Sequence, residues 1–567
     1  MQTKFCAFLS SGISTAVRAI GAVADSARPR SVPAPKRRRR PRLVTALLAA
    51  LLALPLAPRP AQAQVNLPAL GDSVSEDFGI GTERRLGDQI MREVRRDPDY
   101  LDDPILDDYL ESVWQPLLAA SRRKGNIGPD ENERFAWEPF LVRDRSVNAF
   151  ALPGGYVGVH LGMIAVTANR DELASVLAHE MSHVTQRHIA RSMVNSQRQG
   201  LIGMAAMILG ALAATRSSNP DALNAVVVGG QAAAIQGQLN FSRDMEREAD
   251  RIGFGVMTSA GFAPSGMAAM FEKLQSASRL NDGNSFPYLR SHPLTSDRIG
   301  EARARLGAGR AAAAPLSNAL EHAVMQARAK VLMDPRAEAL QRLQALDAPD
   351  NPAQAATAPL AERLSALCAS AMASSQLRDA ARAEAAVQRA LALLRGSPLE
   401  HAEAEHAVRL LEVQLLVDRG DPVRAAEALK PFAGEQSRPL AVLRARVALS
   451  PALRDSAALQ RSAEELQTRV ALAPHDATSW GLLGQVQERL GRPLRALRAQ
   501  AEQSYATGDL SGAVDRLRAG RQAARDGGAQ ADFIEASVIE ARLRDVEAER
   551  KRLAAEMRGE KKDSGDQ

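Results

Sequence analysis

Twelve residues, LAHEMSHVTQRH at 177–188, constrain this chain more than any other stretch. They set His179 and His183 one helical turn apart with an acid, Glu180, beside the first of them. Residues four apart share a helix face, so the two imidazoles can converge on one ion. Glu180 then stands next to that face, placed to take a proton from a water held there. The pattern needs a helix, and Asn169 is a capping residue for one running through ELASVLAHEMSHVTQRHIARSM. On such a helix His188 is turned about 900° from His179 and faces the other way. It is read as a packing or surface histidine, and so is His160.

A catalytic zinc keeps three protein ligands and one open position, so a third ligand must come from elsewhere. The extension HExxHxxGxxH is absent, because Gln186 and Ile189 occupy the positions of its glycine and third histidine. A carboxylate is the expected donor. The segment SRDMEREADRIGF at 242–254 offers Glu246 and Asp250, spaced i, i+4 on one face of an expected second helix. One can ligate while the other hydrogen-bonds a ligand histidine. Further on, SHPLTSDR at 291–298 contains His292, which Pro293 holds extended in a loop. Its open roles are to stabilise an oxyanion, to occupy the fourth metal position until substrate displaces it, or simply to support the loop. Arg298 orients either this loop or the metal shell, and the sequence does not say which.

Helices are expected at about 83–95 and 104–121, then a strand near 136–142. The stretch VNAFALPGGYVGVHLGM at 147–163 alternates around Pro153-Gly154-Gly155 and reads as a hairpin. The histidine helix therefore comes directly after a small antiparallel sheet. Composition changes at RLGAGRAAAAPLSN (305–318), after which Ala, Leu, Arg and Glu dominate and everything looks helical. There a Gly followed five residues later by Ala recurs as Gly420/Ala425, Gly491/Ala496 and Gly508/Ala513. Trp480, Leu483 and Gly484 keep the W-x2-L-G spacing of tetratricopeptide repeats, with Leu429 and Leu517 expected to fill the groove between paired helices. This part resembles a degenerate tetratricopeptide array.

HEMSH, SRDMEREAD, the NAFALPGG hairpin and SHPLTSDR together resemble the gluzincin metallopeptidase family of the HtpX heat-shock protease and the CAAX prenyl protease, over roughly 75–305. The resemblance implies that His179, His183 and Glu246 bind one zinc, that Glu180 is the base and that Asp250 lies behind the ligands. It implies an α+β zincin-like domain, mainly helical with a small antiparallel sheet, ahead of the all-α tetratricopeptide-like solenoid. The expected organisation is an export region at 1–63, a peptidase domain at 64–306, a linker at 307–318, a repeat domain at 319–555 and a charged disordered tail at 556–567. The membrane members of the family carry spanning helices without counterpart in this sequence, so their substrates do not transfer.

The chain carries a net +6, yet residues 1–63 hold eleven Lys or Arg against the single acid Asp25. The remainder of the chain, from residue 64 onward, is slightly acidic, which gives no reason to expect a nucleic acid partner. The basic run at 36–42, the fourteen apolar residues at 43–56 and the Ala61-Gln62-Ala63 site form a secretory signal, with cleavage expected before Gln64. The run is shorter than the roughly 20 residues that cross a bilayer. Cys6 falls in the discarded part and Cys368 is alone in the remainder, which excludes an intrachain disulfide there. The apolar segment GLIGMAAMILGALAA at 200–214 is expected to form a buried helix or lid, the other reading being a surface that touches lipid or unfolded substrate. The resemblance and the signal together imply a periplasmic zinc endopeptidase for unfolded or misassembled envelope proteins. Its place would be in outer-membrane protein quality control, with repeats that dock partners such as the outer-membrane assembly machinery. The competing reading is a chaperone or assembly scaffold in which proteolysis is minor.

Overall fold

The computed structural model describes residues 78–195, 243–280, 286–306, 317–397, 401–527 and 532–563. The export region, the apolar segment at 200–214 and most of the expected linker, 307–316, lie outside the described residues.

Helix α1 (Ile80–Val94) buries Leu86, Ile90, Met91 and Val94 along one stripe. A short strand β1 (Tyr100–Leu101) leads to α2 (Pro104–Arg123). The start of α2 is dictated by its sequence: Asp103 accepts from the Leu106 amide at 2.9 Å, and Pro104 takes the first turn, where its missing N–H costs nothing. Leu106, Leu110, Val113, Trp114 and Leu117 form its buried face.

Strands β2 (Glu138–Val142), β3 (Ala149–Leu152) and β4 (Tyr156–His160) complete a sheet of order β1-β2-β4-β3. The expected hairpin is present, with Ala149 opposite Val159 and Leu152 opposite Tyr156. Its turn needs glycine: Gly155 has φ +91°, and a Cβ there would meet Phe135 Cβ at 2.9 Å and the Trp137 nitrogen at 3.0 Å. The sheet is mixed, however, and not antiparallel as expected. The chain leaves β2, crosses to the outer position to form β3, and returns between the two, so β4 runs parallel to β2.

Helix α3 (Leu161–Val166) precedes α4 (Arg170–Thr185), whose residues from Asp171 to Val184 are all buried. Asn169 caps α4 by accepting from the Glu172 amide at 2.9 Å. The helix is shorter than expected. Arg187 takes a positive φ of 49°, the chain turns, and α5 (His188–Asn195) sets off in a new direction. Helices α6 (Arg243–Ser259), α7 (Ser265–Leu280), α8 (Tyr288–Ser291) and α9 (Ser296–Leu306) come next, with α6 and α7 both packed on α4.

From α10 (Ser317–Leu332) onward the described chain is helical and its elements pack in chain order: Leu360–Gln376 on Ala380–Arg395, Ala477–Arg489 on Pro493–Ala506, and the latter on Leu510–Asp526. Trp480 and Leu483 are buried, and a Cβ on Gly484 would stand 3.2 Å from Gln500 of the next helix. Two of the three recurring glycines sit at open helix ends. Gly420 and Gly491 have φ of +77° and +70° just past helix ends, and a Cβ on either would meet nothing within 4 Å among the described residues. These two terminate helices, whereas Gly508, with φ of +80°, also packs closely, since a Cβ there would stand 2.5 Å from the Arg92 carbonyl oxygen. Their partners Ala425 and Ala496, and the groove fillers Leu429 and Leu517, are buried. The last helix, Phe533–Asp563, runs into the stretch expected to be a disordered tail.

One apolar core continues from Leu101 through Ala327 and Leu367 to Val447. Buried ion pairs tie the same halves together. Arg328 on α10 holds both oxygens of Asp103 at 2.7 and 2.6 Å. Arg438 binds Asp476 at 2.8 and 2.9 Å and reaches across to Asp107 at 2.8 Å and to Asp102.

Candidate metal centre

Two helices make the site. Helix α4 presents His179 and His183 on one face, and α6 lies across it with Glu246 and Asp250 turned inward. Their closeness depends on Gly253, where a Cβ would stand 3.0 to 3.1 Å from the Ala178 carbonyl and the His179 nitrogen. A side chain there would press on the backbone of α4 just where His179 begins.

The Nε2 atoms of His179 and His183 are 3.0 Å apart, and each is 3.5 Å from an oxygen of Glu246. His292 joins them from the loop after α8, its Nδ1 3.0 Å from Glu246 Oε1 and 3.4 Å from His179 Nε2. One donor atom from each of the four lies within 4.8 Å of every other, and all four residues are buried. Ligands about 2.0 to 2.1 Å from a tetrahedral zinc are about 3.3 Å from one another, close to the 3.0 to 3.5 Å that separate the donors of His179, His183 and Glu246. Two imidazoles and a carboxylate also suit zinc by donor type.

The charge balance points the same way. Burial alone would lower His179, yet Asp250, with Oδ1 2.9 Å from its Nδ1, and Glu246 push it up to about 10. Burial would raise Glu246 and Asp250, but His292 and His179 hold the first well below the usual carboxylate range, and Arg298 and His179 hold the second below it. Burial, helped by the cationic forms of its neighbours, keeps His183 well below the usual imidazole value, as a neutral donor. The pocket thus favours added positive charge. Glu180 is fully buried beside it, and neither carboxylate oxygen has a hydrogen-bond partner among the described residues. His292 Nε2 is 3.6 Å from its Oε1. Two oxygens without a hydrogen-bond partner among the described residues, one of them this close to the donor group, fit a base waiting for a water.

Arg298 touches both of the groups left open for it. Its Nε and Nη2 bind Asp250 at 2.7 and 2.8 Å. Its Nη1 lies 2.9 Å from Glu246 and donates to the Pro293 carbonyl at 3.0 Å, which fixes the His292 loop. The loop is fastened at its other end as well, because the Tyr288 amide donates to the Val147 carbonyl at 3.3 Å, just before β3.

His160 stays away from the centre and faces Ser146 at 2.8 Å. His188 does not face away as expected. The break at Arg187 returns it to the site, fully buried, with Nδ1 2.8 Å from His183 Nδ1. Its other nitrogen meets Glu248 at 3.0 Å. Glu248, Gly253 and Tyr288, whose ring centre is 4.8 Å from that of His292, carry no recognisable signal in the sequence.

The fold and the donor set define a metallopeptidase-type domain. In agreement, residues 106–306 match the model of peptidase family M48. The chain is 35% identical over 266 residues to the Beta-barrel assembly-enhancing protease of Escherichia coli, covering 46% of this chain and 52% of the relative. It is 37% identical over 243 residues to the protein of the same name from Yersinia pestis, covering 43% and 48%. A more distant relative is the Mitochondrial metalloendopeptidase OMA1 of Saccharomyces cerevisiae, 28% identical over 195 residues, covering 34% and 53%. The chain spans about half the length of the curated relatives it matches.

Proposed function

We propose that the protein is an exported, periplasmic zinc endopeptidase that cleaves unfolded or misassembled envelope proteins, as part of outer-membrane protein quality control. The observation that carries this reading is the pair of orphaned oxygens on buried Glu180 beside the convergent donors of His179, His183 and Glu246. Those three residues are the zinc ligands, and Asp250 orients His179. When bound, zinc supplies the Lewis acidity that polarises a peptide carbonyl and acidifies a water. Glu180 takes the proton of the attacking water and returns it to the leaving amine.

Substrate is an extended chain added to the outer edge of β3, which selects unfolded segments over folded ones. The pairing with β4 directs the main-chain groups of Ala149 and Ala151 toward that edge. The loop of Tyr288 and His292 already occupies the start of the same edge through Val147, which favours His292 as a plug displaced by substrate. The stacked hairpins at 319–555 serve as tetratricopeptide-like repeats that dock partners, among them the outer-membrane assembly machinery. The names of the bacterial relatives support this assignment.

Glu180→Gln tests the reading. The variant should keep its zinc, lose at least about 10²-fold in cleavage of an unfolded test protein, and retain uncleaved envelope proteins on the chain. Full activity in Glu180→Gln would refute it, and cellular complementation by the inactive variant would show that docking suffices.

A further inference from the structure

Two imidazoles of the centre are held from behind, and they are held differently. His179 Nδ1 meets a carboxylate directly, Asp250 at 2.9 Å, and Asp250 is fixed by Arg298 at 2.7 Å. Behind His183 a second imidazole comes first. His183 Nδ1 meets His188 Nδ1 at 2.8 Å, His188 Nε2 meets Glu248 Oε2 at 3.0 Å, and the same oxygen receives Arg191 Nη1 at 2.9 Å.

Only one proton arrangement satisfies this chain while leaving His183 Nε2 free to donate electrons to a metal. His183 carries its proton on Nδ1 and donates it to the bare Nδ1 of His188. His188 carries its own proton on Nε2 and donates to Glu248. Each ligand histidine then ends on a carboxylate and arginine pair, one link away for His179 and two links away for His183. The geometry is specific to the turn at Arg187. Its positive φ of 49° brings His188 back against His183, whereas a continuous helix would carry it away.

We propose that His188 is a positioning residue for the metal centre, a relay through which Glu248 fixes the tautomer and orientation of His183. The inference rests on the reading of His183 as a zinc ligand. A metal-ligating histidine whose rear partner is removed typically loses roughly 10- to 100-fold in metal affinity.

The test is zinc affinity of the full chain, measured by competition with a chromogenic chelator, which requires no turnover. His188→Leu should weaken zinc by roughly 10- to 100-fold. His188→Asn, whose side-chain oxygen can still accept from His183, should recover most of that loss. Glu248→Ala removes a partly exposed side chain at the outer end, where folding is not at risk, and should weaken zinc several-fold. Wild-type affinity in His188→Leu, or a His188→Asn variant as weak as His188→Leu, would overturn the relay. The reading beneath it is checked separately by His183→Ala: if that chain holds zinc as well as wild type, His183 is no ligand, whatever His188 does.

Discussion

Arg298 grips Asp250 through two parallel hydrogen bonds of 2.7 and 2.8 Å while a third nitrogen reaches the Pro293 carbonyl at 3.0 Å. One guanidinium thereby couples the carboxylate behind His179 to the loop that carries His292. Arg298→Lys keeps the charge but cannot reproduce the planar fork. It should weaken zinc on the order of 10-fold and loosen the loop, read as faster proteolytic nicking around 286–295. Unchanged zinc affinity together with unchanged nicking would show that the fork is dispensable.

His292 lies in the ligand group itself, 3.0 Å from Glu246 Oε1 and 3.4 Å from His179 Nε2. That position suits a group that must leave before substrate binds. His292→Ala should therefore retain zinc and cleave an unfolded protein, or its own chain, faster than wild type. A fall of about 10² with zinc retained would instead assign it to the oxyanion, and no change in either quantity would leave it structural.

The Gly/Ala/Pro linker invites a cut that would separate two domains, but the packing argues otherwise. The core runs unbroken from Leu101 to Val447, and Arg328 on one side holds Asp103 on the other at 2.7 Å. Cleavage at 307–316 should yield a nicked protein whose fragments elute together and part only in denaturant. Arg328→Ala, which leaves Asp103 buried and unpaired, should cost about 3 to 5 kcal/mol in urea unfolding. Free elution of the N-terminal fragment after nicking in native buffer would count against the shared core.

Legibility in the sequence tracks the range of the forces involved. The pairs His179 with His183 and Glu246 with Asp250 are legible because helical periodicity places i and i+4 on one face irrespective of the surroundings. The turn at Gly154 and Gly155 is legible because it needs positive φ. Periodicity misplaces His188 because the break at Arg187 bears no glycine or proline, and it is tertiary packing that imposes a positive φ there. The parallel pairing of β2 with β4 is likewise a matter of strand order, which local alternation does not encode. Arg298 is legible as a charge near the site, but its partners become visible only when α9 is set against α6.

A histidine far from the metal centre sets the last expectation. His322 on α10 is fully buried, with Nδ1 2.6 Å from the Tyr109 hydroxyl and Nε2 3.0 Å from the Thr167 carbonyl. Burial lowers its pKa to about 4, with Lys273, Arg170 and Lys330 adding to the effect against the Thr167 hydrogen bond. The unfolded chain takes up this proton near pH 6.5, while the folded chain stays neutral until about pH 4. The contribution to stability is therefore complete above pH 6.5, declines as pH falls through the window, and amounts to a loss of about 3 kcal/mol by pH 4. His183 and His188 share the trend and His179 opposes it, so the informative comparison is between wild type and His322→Gln. The variant should be less stable at pH 7.5 by about 1 to 3 kcal/mol through its lost hydrogen bonds, yet lose less stability between pH 6.5 and 4.5. Parallel pH profiles of urea midpoints for the two proteins would show that His322 is protonated when folded and that its bonds to Tyr109 and Thr167 do not hold it neutral.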